Sequence, residues 1–311
     1  MRQLSEGGSD QPAELHERPF AGFYPDKSKG QNFLIQRRIA ERVTGLAELG
    51  TNDDVIEIGP GRGILTEVIL ERGVHSLTAI ELDTRLAAAL KARWHGRAEV
   101  RVICADFLEL HTLPTNGRIK VVANLPFNVA SAILERLCAY RNRIARMVLM
   151  FQREAAERIR ARAGERAYGA LSLYTSLYWN IADHFRVSAG SFRPRPKVDA
   201  EVLAFTPREP APFAPIDERL ILRTIRAVFA APRKTLRNSL AAGSRLPPSQ
   251  AAELLERAEI NPDARAATLT LNDILRLAKI FKTLGGGFKD SESSIVEAVS
   301  GHPADSALDH A

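Results

Sequence analysis

Cysteine is nearly absent: the 311 residues hold two, Cys104 and Cys138, far apart and in apolar stretches. That argues against a disulfide framework or a cysteine metal site and suits a reducing compartment. The seven histidines are scattered, without H-x-x-x-H or Cys-His ligand spacing, so no metal is expected. No apolar run approaches the ~20 residues of a membrane span. The N-terminal stretch lacks the apolar block of a secretory signal. With Glu6, Asp10, Glu14 and Glu17 it is also too acidic for an organellar transit peptide. A cytoplasmic protein without membrane contact is expected. No internal repeat is found.

What is present is the balance of a folded protein, 45% hydrophobic and 26% charged. The formal charge is +6, and the acidic stretch from Gly286 to Ala311 holds five acids and one base, leaving +10 on the remainder. The body of the chain therefore favours polyanionic partners. Residues 1–26 and 285–311 are polar and rich in Gly, Ser or Pro and are expected to be disordered tails. Between them, short apolar runs at 55–58, 77–82, 100–104, 121–123, 147–151 and 202–205 alternate with amphipathic stretches such as 36–49 and 66–72. This is the pattern of βαβ units and a largely parallel sheet. Past Pro207, Pro210, Pro212 and Pro215 only helical patterns follow, at 218–229, 234–241, 248–258 and 271–281. The expected division is an α/β domain at 27–207 and a small all-α domain at 208–284.

Three glycines, Gly59, Gly61 and Gly63, follow the first apolar strand and precede a helix, where backbone can approach a ligand closely. The spacing is G-x-G-x-G, one position short of the dinucleotide fingerprint G-x-G-x-x-G. Glu81 ends the second strand, placed to accept ribose hydroxyls, and Asp106 ends the third, placed to accept an adenine amine beside Phe107. Alone, the glycines are equally explained by tight packing and each acid by a helix cap. Together, at successive strand ends, they describe a nucleoside site. The fourth strand runs into Asn124-Leu-Pro-Phe-Asn128. Out of context this is a turn. Beside a nucleoside site, the Asn124 amide oxygen and a carbonyl near Leu125 can accept the hydrogens of an exocyclic adenine amine, and Phe127 can stack on the base.

These segments, with Lys29-Gly-Gln-Asn-Phe-Leu34, Phe151-Gln-Arg-Glu154, Tyr168-Gly-Ala-Leu-Ser172, the stretch Pro194 to Asp199 and Arg233-Lys-Thr-Leu-Arg-Asn-Ser239, resemble the ribosomal RNA adenine dimethyltransferase family. They are most similar to its small-subunit branch, over about residues 27–282. The resemblance implies a Rossmann-like class I methyltransferase domain with a mostly parallel seven-stranded sheet, followed by an RNA-binding helical domain. It further implies S-adenosylmethionine as cofactor and dimethylation of two adjacent adenosines in the 3′-terminal hairpin loop of small-subunit (16S) rRNA. A monomer acting on the 30S subunit during its biogenesis, and consuming four cofactor molecules, is implied as well. Carried over by motif, Asn32, Leu34, Gly59, Gly61, Glu81 and Asp106 touch the cofactor. Asn124 lies between cofactor and substrate, within the catalytic run Asn124, Leu125, Pro126 and Phe127. Three positions depart from the family pattern: Phe127 where Tyr is common, Ala132 for a frequent Pro, and Pro232 for a second Arg.

Arg153, Arg158, Arg195, Lys197, Arg233, Lys234 and Arg237 are the candidate RNA contacts, since clustered cations bind phosphates. The competing explanation is a solvated face with internal pairs, such as Glu154 with Arg158 at i,i+4. Unpaired loop bases are what a base-extruding enzyme reaches at least cost. Rival functions are a resistance methyltransferase acting on large-subunit rRNA, a DNA adenine methyltransferase, and a non-catalytic ribosome-assembly or nucleic-acid-binding factor. The Tyr168 and Arg233 motifs oppose the first rival. The loop Asn124-Leu-Pro-Phe opposes the second, where Pro-Pro-Tyr is usual, and the intact Gly59, Glu81, Asp106 and Asn124 oppose the third.

Overall fold

The computed structural model describes residues 31–209 and 216–283. The expected tails at 1–26 and 285–311, and the prolines at 210–215, lie outside them. Five Val- and Ile-rich strands form a parallel sheet: β2 (Asp54–Ile58), β3 (Ser76–Glu81), β4 (Val100–Cys104), β5 (Ile119–Asn124) and β6 (Ile144–Gln152). Two antiparallel strands, β7 (Trp179–Val187) and β9 (Ala200–Pro207), complete seven in the order β4-β3-β2-β5-β6-β9-β7. This is the expected α/β fold. A two-stranded antiparallel sheet pairs β1 (Phe33–Leu34) with β8 (Phe192–Arg193).

From β2 the chain runs outward to β3 and β4, then returns to β5 on the other side. The connections leaving the carboxyl ends of β2, toward β3, and of β5, toward β6, therefore run in opposite directions, and a crevice opens between them. Ile58 and Ala123 are partners in register, so the residues that follow them, Gly59 and Asn124, meet at that crevice.

Helices cover both faces. On one lie α1 (Arg37–Leu46), α2 (Ile64–Glu71) and α3 (Thr84–Arg93), packed through Val43, Val68, Ile69 and Leu86 against Val55, Val122 and Val202. Asp83 starts α3 by accepting from the amides of Arg85 and Leu86, which satisfies donors that no helical carbonyl reaches. On the other face lie α4 (Ala130–Ala139), α5 (Arg153–Arg160) and α6 (Ala170–Tyr178). Their hydrophobic cluster continues without a break into α7 (Glu218–Val228), α8 (Leu236–Ser244), α9 (Pro248–Arg257) and α10 (Leu271–Thr283), ending at Phe281. A polar clamp crosses the same junction: Glu218 takes Arg141 at 2.7 Å and the Tyr178 hydroxyl at 2.7 Å. Gly243 lets α8 approach α7 so closely that a Cβ there would lie 2.4 Å from the Ala227 Cα.

The edge strand β7 was not legible as a strand. Its residues Asp183, His184 and Arg186 are exposed, and a bulge interrupts its pairing between Ile181 and Asp183. Charges and a bulge are what keep an edge from recruiting another strand, and they also erase the apolar alternation from which strands are read.

Candidate active site

A cleft of about 610 Å³, open to solvent, lies at the carboxyl ends of β2, β3 and β5. Gly59, Gly61 and Gly63 all adopt positive φ, at 67°, 59° and 82°, a region costly for residues with a Cβ. Their roles differ. A Cβ on Gly61 would sit 2.8 Å from the Phe33 ring, so the loop is pressed beneath β1. One on Gly63 would sit 2.4 Å from Trp94 and 3.1 Å from Leu90, so the third glycine serves the packing of α2 on α3. Gly59 meets nothing closer than 3.8 Å, namely the Asn124 carbonyl and Pro126; it and Gly61 line the cleft, and Gly63 does not.

Glu81 is 6% exposed. One carboxylate oxygen accepts the Gly61 amide at 3.0 Å and the other the Asp83 amide at 2.9 Å. Burial pushes its carboxyl above the usual carboxylate range, opposed by those two amides. Each oxygen keeps acceptor capacity, and Glu81 lines the cleft. Asn124 also lines it, and its side-chain N–H donates to the Asn32 carbonyl at 3.2 Å. With the amide nitrogen so engaged, the Asn124 Oδ1 is left as an acceptor. Asn32, Leu34, Leu125, Pro126 and Phe127 complete the lining.

Asp106 stands apart from this lining. Its carboxylate accepts the Leu108 amide at 2.8 Å and caps a short 3-10 turn, and Phe107 is 4% exposed and part of the hydrophobic core. Two features escaped the sequence reading. Phe33, with the Arg62 guanidinium 5.2 Å from its ring centre, roofs the glycine loop. Glu57 is wholly buried within β2; one oxygen accepts the Thr66 hydroxyl at 2.6 Å and the other has no partner among the described residues. Burial pushes the Glu57 carboxyl up to about 8. A carboxylate inside a run of Val and Ile is the signal that could have found it.

The expected RNA-binding cations fall into two groups. Arg153, Arg158 and Arg237 pair with Glu157, Glu154 and Asp263. Arg195, Lys197, Arg233 and Lys234 are exposed, with no acidic partner among the described residues. Among those residues no cluster of His, Cys, Asp or Glu could hold a metal, and no helix is long and apolar enough to cross a membrane.

Residues 24–283 match the model of a family described as ribosomal RNA adenine dimethylase. A protein of Geobacter metallireducens named ribosomal RNA small subunit methyltransferase A is 36% identical over 271 residues, covering 85% of this chain and 98% of the relative. Among solved structures, a dimethyladenosine transferase from Plasmodium falciparum aligns with a TM-score of 0.70 at 24% identity, over 81% of this chain and 98% of that one. The 23S rRNA methyltransferase ErmE aligns at 0.62 and 25% identity, over 81% and 100%.

Proposed function

Because the chain belongs to the ribosomal RNA adenine dimethylase family, we propose that it dimethylates the exocyclic amines of two adjacent adenosines in the 3′-terminal hairpin loop of small-subunit rRNA. The small subunit is favoured by the name of a relative at 36% identity, and the setting is a cytoplasmic one. S-adenosylmethionine, when bound, supplies a methyl group on a positively charged sulfur. The residues present fit that group. Gly59 leaves backbone open beside the Asn124 carbonyl, and Glu81 offers a buried carboxylate to the ribose hydroxyls. Asp106 has one oxygen committed to Leu108, so any adenine contact falls to the other.

The adenine amine is a weak nucleophile because its lone pair is delocalised into the ring. The Asn124 Oδ1 and the Leu125 carbonyl accept its two hydrogens, localising the lone pair as the nitrogen attacks. Phe127 stacks on the extruded base and holds the reacting atoms in line, so that positioning does most of the work. With the donor bound, the Asn124 Oδ1 and the Leu125 carbonyl would hold the amine's protons as its charge rises on methylation and would release one to solvent, so no strong general base is required. For the second transfer one hydrogen has been replaced by methyl, and a single acceptor suffices.

The supporting observation is the bond from the Asn124 N–H to the Asn32 carbonyl, which fixes the amide's orientation and keeps its oxygen available as an acceptor for the substrate. The test is incubation with unmethylated small subunits and labelled cofactor, with mass spectrometry of the digested RNA. Two methyl groups on each of two neighbouring adenines are expected. Asn124→Ala should lower kcat by about 10²-fold or more while cofactor affinity is kept. Transfer to large-subunit RNA or to DNA would overturn the reading.

A further inference from the structure

A second open groove, of about 1050 Å³, shares no lining residue with the catalytic cleft. It runs along the edge strand β7, bounded by the end of α5, the turn after it, the outer face of α6, and Arg208. The turn is held against the helical region, where the Gly164 amide donates to the Ala267 carbonyl at 2.8 Å and the Tyr168 hydroxyl to Leu269. The groove therefore lies where the sheet and the helices meet.

Its polar groups sort into spent and unspent. The Arg160 guanidinium and the His184 ring both go to one buried oxygen of Glu201, each at 2.9 Å. Ser172 donates to the Arg158 carbonyl and accepts the Gly169 amide, and Ser176 donates to Leu173. The exposed Asn180 amide also lines the groove, and three further groups bear on what it could bind. The Thr175 hydroxyl belongs to a residue 1% exposed and has no partner among the described residues. The Arg208 Nε is likewise buried and unpartnered there, although the Arg208 backbone is anchored by its amide on the Tyr178 carbonyl at 2.8 Å. The Arg162 guanidinium is exposed and has no acidic partner among the described residues. Glu165 is the one carboxylate in the lining, and it accepts the Arg162 amide at 3.0 Å.

A buried donor left unmet is costly, and native structures meet nearly all of them. These three groups all offer donors and two carry positive charge; the Glu201 oxygen without a partner among the described residues belongs to a residue outside the lining. Their complement is an anion made only of acceptors, and a phosphodiester is such a group. The groove is open along its length, which suits a strand of linked phosphates rather than one enclosed small ion. We propose that this groove binds a phosphodiester segment of the substrate RNA through Arg162, Arg208 and Thr175. The proposal rests on the RNA-methyltransferase reading above and adds a contact site remote from the reacting base.

The test measures binding of a fluorescent RNA hairpin, with two adjacent adenosines in its loop, to the full chain at several salt concentrations. Arg162→Gln combined with Arg208→Gln should weaken binding about tenfold and lower the slope of log affinity against log salt by about 2, one per cation. S-adenosylmethionine affinity should stay the same. Thr175→Val guards against a mere loss of folding: removing an unmet buried hydroxyl should leave the melting temperature unchanged or raised while RNA affinity falls about threefold. Unchanged affinity and slope in the double variant overturn the proposal. So does tight binding of inorganic phosphate or AMP that the double variant loses while RNA binding is untouched. A wild-type chain that neither binds nor methylates the RNA overturns the functional reading and this site with it.

Discussion

Glu57→Gln tests whether the buried acid under the glycine loop is protonated in the folded protein. Its side chain has no access to water, the Thr66 hydroxyl meets only one oxygen, and the nearby Glu81 carboxylate adds repulsion. The folded protein therefore holds this proton up to about 8, against an ordinary value of 4.5. A group whose carboxyl is raised on folding stabilises the fold fully below its unfolded value. That stability is lost as pH climbs through the interval and is constant again above the folded value. Across the whole interval the loss is about 5 kcal/mol as an upper bound, and between roughly pH 6 and pH 8 it is about 2 kcal/mol. Glutamine keeps an acceptor for Thr66 and cannot ionise, so it removes this slope and leaves the others. Urea unfolding followed by fluorescence suits the measurement, since Trp94 and Trp179 are both buried. The stability of the wild type relative to Glu57→Gln should fall by about 2 kcal/mol between those two pH values and flatten above about 8. Stability curves that stay parallel throughout would show that Glu57 is ionised in the fold and refute the reasoning.

The glycines should separate by role. Gly63→Ala drives a methyl to within 2.4 Å of Trp94 at φ 82° and should cost about 2–4 kcal/mol by thermal or denaturant unfolding. Gly59→Ala meets nothing nearer than 3.8 Å. It should cost about 1 kcal/mol of strain, with the larger loss in cofactor affinity measured by calorimetry. Gly243→Ala faces the Ala227 backbone at 2.4 Å and 2.6 Å, which no rotamer change relieves. Chemical denaturation should show a loss of about 2 kcal/mol or more.

Most of the parallel half of the sheet was readable because β2, β3, β5 and β6 are largely buried and so appear as short apolar runs; the edge strand β4 has no fully buried residue and shows only through Val100, Val102 and Ile103. Hence β2 to β6 fall within a residue or so of their expected places in most cases. The polar edge strand β7 carries no such signal, and β1 and β8, two residues each, are too short for any period to be seen. Residue type told where a ligand would approach but not which glycine serves it: Gly63 reads like Gly59 until Trp94 is found against it. Asp106 likewise carries the right chemistry at a strand end, and its carboxylate caps the local turn through the Leu108 amide, the helix-cap alternative that the sequence already offered. The charges of Arg153, Arg158 and Arg237 were visible, and i,i+4 spacing marks the acids at Arg153 and Arg158, whereas Asp263, which pairs with Arg237, is distant in sequence.

The short first strand has more to do with the chemistry than its length suggests. Asn124 could present either its oxygen or its N–H₂ to the cleft, and the Asn32 carbonyl at 3.2 Å decides between them. Turned over, the amide would set its own oxygen against that carbonyl, losing a hydrogen bond of about 1 kcal/mol and opposing two acceptors. Asn32 is held in turn because Phe33 and Leu34 pair with Arg193 and Phe192 and because Phe33 is wedged over Gly61. Asn32, whose carbonyl holds the Asn124 amide, directly precedes β1, and the exposed Arg195 and Lys197 come just after its partner β8. Loosening β1 should then damage methyl transfer even where the cleft's own side chains are unchanged.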